Sequence, residues 1–146
     1  MNDTAPLKFG MGAPVRRKED RALVTGAGRF TDDYVPEGTL RAHVLRSSMA
    51  HARIRLGDLS AARAMPGVRL ILTGEDVAAI PGLPCKGKIR QVDGTHPRMP
   101  KHPLLCHDVV RHVGDPIAFI VADTLEQAKT AAEAIEVDYE PLPVVI

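Results

Sequence analysis

Cys85, His96, His102, Cys106, His107 and His112 are side chains of the kind that ligate zinc, and they crowd into one stretch of the chain. Their spacing does not suit a short-range zinc site. No pair of cysteines lies two to four residues apart, so no histidine pair at three-to-five-residue spacing comes with paired cysteines. His102 and Cys106 stand one helical turn apart, but Pro103 biases His102 away from helical dihedrals. Nucleophile chemistry fares no better. Ser47-Ser48 lacks the glycine-flanked strand-to-helix elbow that exposes a catalytic serine. His51 sits beside a strand among arginines, where a structural role is expected rather than that of a base. Asp32 and Asp33 are adjacent, so in an extended segment they point to opposite sides and act as acceptors in a turn. Gly26-Ala27-Gly28 suggests a turn needing positive φ. As a phosphate loop it fails, because no apolar strand precedes it and no Gly-Lys-Ser/Thr ending follows. The expectation is therefore no catalytic residue, no cofactor-binding residue and no metal site.

Composition bounds the remaining possibilities. The 146 residues match one domain, with 45% hydrophobic and 25% charged residues as in ordinary soluble proteins. Aromatics make up 3% and Trp is absent, so the core must be built from Ala, Val, Leu and Ile. A net charge of +1 and few aromatics argue against nucleic acid. No apolar run is long enough to span a bilayer. With no signal peptide recognisable at the N-terminus, the two cysteines are expected to be reduced thiols in a cytoplasmic protein. Charge is uneven: six Lys or Arg face two acids between Cys85 and Arg111, and seven acids face Lys129 alone from His112 onward.

The elements that would position these residues follow from periodicity. Residues 1–14 have none and read as a flexible lead-in; the domain proper is expected over 15–146. Leu40, Ala42 and Val44 alternate with Arg41 and His43 as the inward side of a strand, and Ile54 and Leu56 alternate with Arg53 and Arg55. Asp58 is placed to cap a short helix from Leu59 to Met65, stopped by Pro66-Gly67. Val68–Leu72 reads as a strand. Thr73 with Asp76 resembles a capping box opening a short helix through Val77 and Ile80. The stretch from Pro81 to Pro103 holds five of the 12 prolines and is expected to be a long, mobile loop ordered by partners.

Regular structure resumes with a strand-like Val109–Val113, a turn at Gly114-Asp115-Pro116, and Ile117–Ala122, apolar on both faces and so a central strand. Asp123, with Glu126 in the reciprocal position, is expected to cap a helix. Leu125, Ala128, Ala132 and Ile135 cover an arc of about 80° and form its core stripe, with Lys129 and Glu133 paired on the solvent side. Glu136–Glu140 completes a β-α-β unit, Val137 and Tyr139 sharing a face.

These segments resemble a known family. Val15-x-Arg17-x-Glu19-Asp20-x-x-Leu23-x-Thr25-Gly26-x-Gly28-x-Phe30-x-Asp32-Asp33 is similar to the opening of the large subunits of xanthine, aldehyde and aerobic carbon monoxide dehydrogenases. Leu45-Arg46-Ser47, Ala50-His51-Ala52-Arg53-Ile54, Ala61-Ala62-x-Ala64-x-Pro66-Gly67-Val68 and Thr73-Gly74-Glu75-Asp76 continue the likeness. It runs on through Val110–Ala122 and ends at Val137–Pro143. Ser48-Met49, His112 and Asp115 depart from the family's usual residues. The resemblance implies an α+β fold of one domain, the α/β hammerhead, standing N-terminal in a molybdenum hydroxylase large subunit. It implies that molybdopterin, the glutamine near the metal and the glutamate base belong to later domains, with Fe–S and FAD on partner subunits. The domain's own role would be structural support and docking. The alternative is a free-standing binding or assembly module that does no redox chemistry.

Overall fold

The computed structural model describes residues 17–84, 87, 89–97, 99 and 102–144. Two compact units result, Met1–Glu37 and Gly38–Ile146. The expected lead-in over 1–14 lies outside the described residues.

In the first unit a short helix, α1 (Asp20–Val24), precedes a 3-10 turn at Thr31–Asp33. The sequence reading did not anticipate α1. Its start is held by Asp20, whose carboxylate accepts from the Arg17 amide at 3.1 Å. Its end explains the first glycine of the pair. Gly26 adopts φ +71°, its amide reaches the Leu23 carbonyl and the Ala27 amide reaches the Ala22 carbonyl at 2.8 Å, which together satisfy the helix's last carbonyls. A Cβ on Gly28 would fall 2.8 Å from Leu23 Cδ2, the flexible end of an exposed side chain that can move aside, so the second glycine is not required by its surroundings.

The second unit is built on two three-stranded sheets. Its strands are β1 (Arg41–Arg46), β2 (Ala52–Leu56), β3 (Val68–Thr73), β4 (Val109–Val110), β5 (Pro116–Ala122) and β6 (Val137–Pro141). One sheet runs β1-β5-β3 and the other β4-β2-β6, every pairing antiparallel. The central place expected for β5 is observed. The expected β-α-β unit is not, because β5 and β6 belong to different sheets. A helix between two strands fixes their order in the chain but not their sheet. Of the strand expected over Val109–Val113, only Val109–Val110 pairs.

Helix α2 (Ser60–Arg63) is shorter than expected, and the Asp58 carboxylate does accept from the Ser60 amide, at 3.0 Å. Hydrogen bonds from Ser60 hold the Asp58 carboxyl below the usual carboxylate range. The helix expected after Thr73 does not form. Asp76 accepts from both the amide and the hydroxyl of Thr73, at 2.7 and 2.9 Å, but the following residues make only turns. With Pro81 and Gly82 next, no length remains over which helix propagation would offset nucleation.

Helix α3 (Leu125–Glu133) is capped one residue later than expected. The Thr124 hydroxyl accepts from the Gln127 amide and Gln127 Oε1 accepts from the Thr124 amide, at 3.2 and 3.0 Å. Asp123 is drawn instead into a two-point ion pair with Arg69, at 2.7 and 3.0 Å. The buried stripe is Ala128, Ala131, Ala132 and Ile135, while Leu125 is 42% exposed. Lys129 meets Glu126 at 3.2 Å, replacing the expected pair with Glu133.

This alanine stripe lets α3 lie close on the first sheet. Ala118, Ile120 and Ala122 of β5, Ile71 of β3 and Ala62 of α2 complete that core. A second core joins Ala52, Ile54, Cys106, Val110 and Ile117, with Val137 and Tyr139 against it. The phase expected for β1 is reversed. Register sets Arg41, His43 and Leu45 beside Ala122, Ile120 and Ala118, on the helix-covered side, and Ala42 and Val44 on the other.

Of the stretch 81–103, the described residues form no helix or named strand. A single bridge joins Leu83 to His102, and Gln91–Thr95 closes a tight turn through a 2.8 Å backbone bond. Leu83, Ile89 and Leu104 are exposed and Leu105 is buried.

Candidate functional site

A groove of about 1510 Å³ opens in the second unit. Turns after β3, the chain before β4 and the β4–β5 turn supply its walls, with Val77, Ile80 and Leu105 among the apolar lining. It gathers His51, His102, His107 and His112, four of the histidines the sequence singled out. They are not a constellation. The His102 and His112 rings lie 6.0 Å apart. His51 Nδ1 donates to the Pro143 carbonyl at 2.6 Å, a bond that requires the proton on Nδ1. His107 has Asp108 at 3.7 Å, both exposed. No group of three potential metal-ligating residues occurs among the described residues. His96 is exposed and does not line the groove, and Cys85 lies outside the described residues.

Cys106 is buried in the second core, and burial, reinforced by the Asp115 carboxylate, pushes its thiol up to about 11. A thiol so placed is a packing element rather than a nucleophile. Ser47 is likewise structural. Its hydroxyl donates to the Met49 carbonyl at 2.9 Å and accepts from the Met49 amide at 3.0 Å, a closed local turn. Ser48 beside it is exposed. Asp33 accepts from the Phe30 amide at 2.9 Å, the turn role expected of it. Asp32 sits in the same 3-10 turn.

One polar centre escaped the sequence reading. Asp115 is 4% exposed, yet its carboxylate accepts from the amides of Arg111 and His112 at 2.5 and 3.2 Å and meets His112 Nδ1 at 2.9 Å. Its carbonyl accepts from the Ser47 amide, and the Gly114 amide returns a bond to the Ser47 carbonyl, both at 2.8 Å. Gly114 reaches φ +93° to allow this turn. Asp115 thus ties the end of β1 to the β4–β5 turn. The signal was an acid between a glycine and a proline, visible in the sequence only as a turn.

The described residues do not fit a molybdopterin. Such a group needs several backbone amides converging on its phosphate, commonly in a glycine-rich loop. Here the glycines of positive φ, at 26, 38, 67, 94 and 114, fall in five separate turns. No buried side-chain nitrogen or oxygen among the described residues lacks a hydrogen-bond partner, so none is left waiting for a ligand.

An antiparallel two-sheet α+β domain with no catalytic set assembled among the described residues defines a class rather than a reaction. Comparison with known proteins narrows it. Residues 25–143 match the family model described as aldehyde oxidase and xanthine dehydrogenase, a/b hammerhead domain. The chain is 38% identical over 136 residues to the nicotine 6-hydroxylase large subunit of Paenarthrobacter nicotinovorans, covering 93% of this chain and 16% of that protein. It is 37% identical over 142 residues to the carbon monoxide dehydrogenase large chain of Afipia carboxidovorans, covering 94% and 16%. Among solved structures, quinoline 2-oxidoreductase from Pseudomonas putida 86 superposes with a TM-score of 0.75 at 40% identity, over 88% of this chain and 16% of that one. The chain belongs to the aldehyde oxidase and xanthine dehydrogenase family of molybdenum hydroxylases, and its fold is their α/β hammerhead. It spans about a sixth of the length of the relatives it matches. Among the described residues no helix is long and apolar enough to cross a membrane.

Proposed function

We propose that this chain is the N-terminal, non-catalytic hammerhead domain of a molybdenum hydroxylase large subunit, and that its work is structural support and docking. The observation that carries this reading is the family match over residues 25–143 of a chain spanning only 16% of its relatives. Within the complete enzyme, a carbon monoxide, an aldehyde or an N-heterocycle would be oxidised on later domains. Molybdopterin would be bound there, and Fe–S centres and FAD would be carried by partner subunits. The protein would work in the cytoplasm. The absence of an assembled ligand set among the described residues is consistent with this division, and so is a groove whose histidines are already engaged or dispersed.

The test is elemental analysis and turnover on two preparations: the 146-residue chain and the complete product of the gene that carries it. Molybdenum near one per polypeptide in the complete product, and less than a tenth of that in the 146-residue chain, is the expected result. Near-stoichiometric molybdenum or substrate oxidation by the 146 residues alone would overturn the reading.

A further inference from the structure

The β1-β5-β3 sheet has two faces; the packing accounts for one of them and for the Ile117 end of the other, which enters the second core. Helices α2 and α3 cover the side that carries Ala118, Ile120 and Ala122. On the opposite side register lines up two rows across the three strands, Val44–Phe119–Leu72 and Ala42–Val121–Leu70. All six side chains are apolar, and none belongs to or packs against either core. Leu70 is 46% exposed and Ala42 is exposed; the other four are half-buried.

A sheet face meant for water alternates polar residues outward. Here the alternation is inverted. In β1 the polar Arg41 and His43 stand on the helix-covered side, and Ala42 and Val44 on the open one. β5 carries no polar side chain in seven residues, the pattern of a strand covered on both faces. We infer that this open face is a docking surface, and that its occupant is an apolar face of the remainder of the same large chain. The inference rests on the domain reading above.

Two observations select that occupant. The chain accounts for 16% of the length of its relatives, so about five-sixths of such a subunit is available to cover it. The two rows hold no charged side chain, which requires an apolar partner surface. A polar margin is in place where the Arg69–Asp123 ion pair stands at the end of β3 and β5. An apolar centre with a polar rim is the usual anatomy of a stable contact.

The test is maleimide labelling of Leu70→Cys, with Cys85→Ser in the background, in the 146-residue chain and in the complete large chain. Cys106 stays in place, and the same proteins without the introduced cysteine give its background rate. Labelling at least tenfold slower in the complete chain is the expected result. A second variant, Leu70→Lys, is expected to leave the melting temperature of the 146-residue chain within about 2 °C and to lower that of the complete chain. Equal labelling rates would overturn the docking surface and leave the domain reading standing. A concentration-dependent dimer of the 146-residue chain that protects Leu70→Cys would replace the occupant with a second copy, which also overturns the inference. If the gene encodes nothing beyond this domain, the inference and the domain reading fall together.

Discussion

The alanine stripe of α3 can be tested by placing a charge in it. Ala131 is fully buried between α3 and the first sheet, in a cluster of Ala and Ile. Asp at this position would be desolvated, and it would also overfill a site shaped for a methyl group. Uncompensated burial of a polar group costs about 2–7 kcal/mol, and overpacking about 1–3 kcal/mol. Partial neutralisation of the acid and local relaxation hold the expected loss near 4 kcal/mol. For a domain of this size that lowers the melting temperature by roughly 10–16 °C. Leu125→Ala is the informative contrast. Leu125 is 42% exposed, so the loss is about 1 kcal/mol, well below the 2–5 kcal/mol of a core leucine. Glu133→Ala, on the solvent side, is expected to change stability by about 0.5 kcal/mol or less. Thermal melts followed by circular dichroism, with urea titrations for the free energies, rank the three. The reasoning is refuted if Ala131→Asp and Glu133→Ala melt within 2 °C of each other. It is refuted too if Leu125→Ala costs as much as Ala131→Asp, since Leu125 would then belong to the stripe.

The thiol of Cys106 remains neutral in the folded chain up to about pH 11 but ionises near 9 once unfolded. Its raised folded pKa contributes stability in full below pH 9, and that contribution is lost as pH rises through 11. At about 1.4 kcal/mol per unit, with solvent screening part of it, the loss amounts to about 1–2 kcal/mol; Cys106→Ala should flatten this alkaline slope in urea titrations at pH 8 to 11. Asp115→Ala would leave the Arg111 and His112 amides without their acceptor at a cost of about 2–3 kcal/mol. Asp115→Asn, which keeps one acceptor oxygen, should recover at least half of that in the same titration. Thr124→Ala is expected to cost about 1 kcal/mol through loss of the cap, and Asp123→Ala less, since the pair it makes with Arg69 is exposed. A larger effect at Asp123 would return the cap to the position the sequence suggested.

Legibility differed from element to element for physical reasons. The phase of β2 could be read because its arginines face water and its apolar residues a core, so its sequence alternates with its burial. β1 defeated the same reasoning. It is an edge strand whose polar residues sit on the helix side and whose small apolar residues sit on the open side, so periodicity assigned its faces backwards. The α3 cap was ambiguous by one residue because Asp123 and Thr124 each have a suitable partner three positions on. What decides is Arg69, which stands far away in sequence and claims Asp123. Division of the strands between two sheets depends on long-range pairing that carries no local signature. Asp115 was missed because its role needs the Ser47 backbone, brought to it only by the fold.

The choice of alanine in α3 and the apolar character of the open sheet face belong to one design. Ala128, Ala131 and Ala132 bury little surface apiece, so the helix side of the first sheet gains less from burial than a leucine-rich interface would. Small side chains in return bring α3 close to the sheet and keep that layer thin. Phe119, Leu70 and Leu72 of the same sheet lie on its other face, outside that helix-covered core. This placement separates the domain's own core from the face proposed for docking. It makes the stability of the 146 residues and that of a larger assembly separable quantities, which Leu70→Lys and Ala131→Asp address one at a time: the first should weaken only the assembly, the second the domain itself.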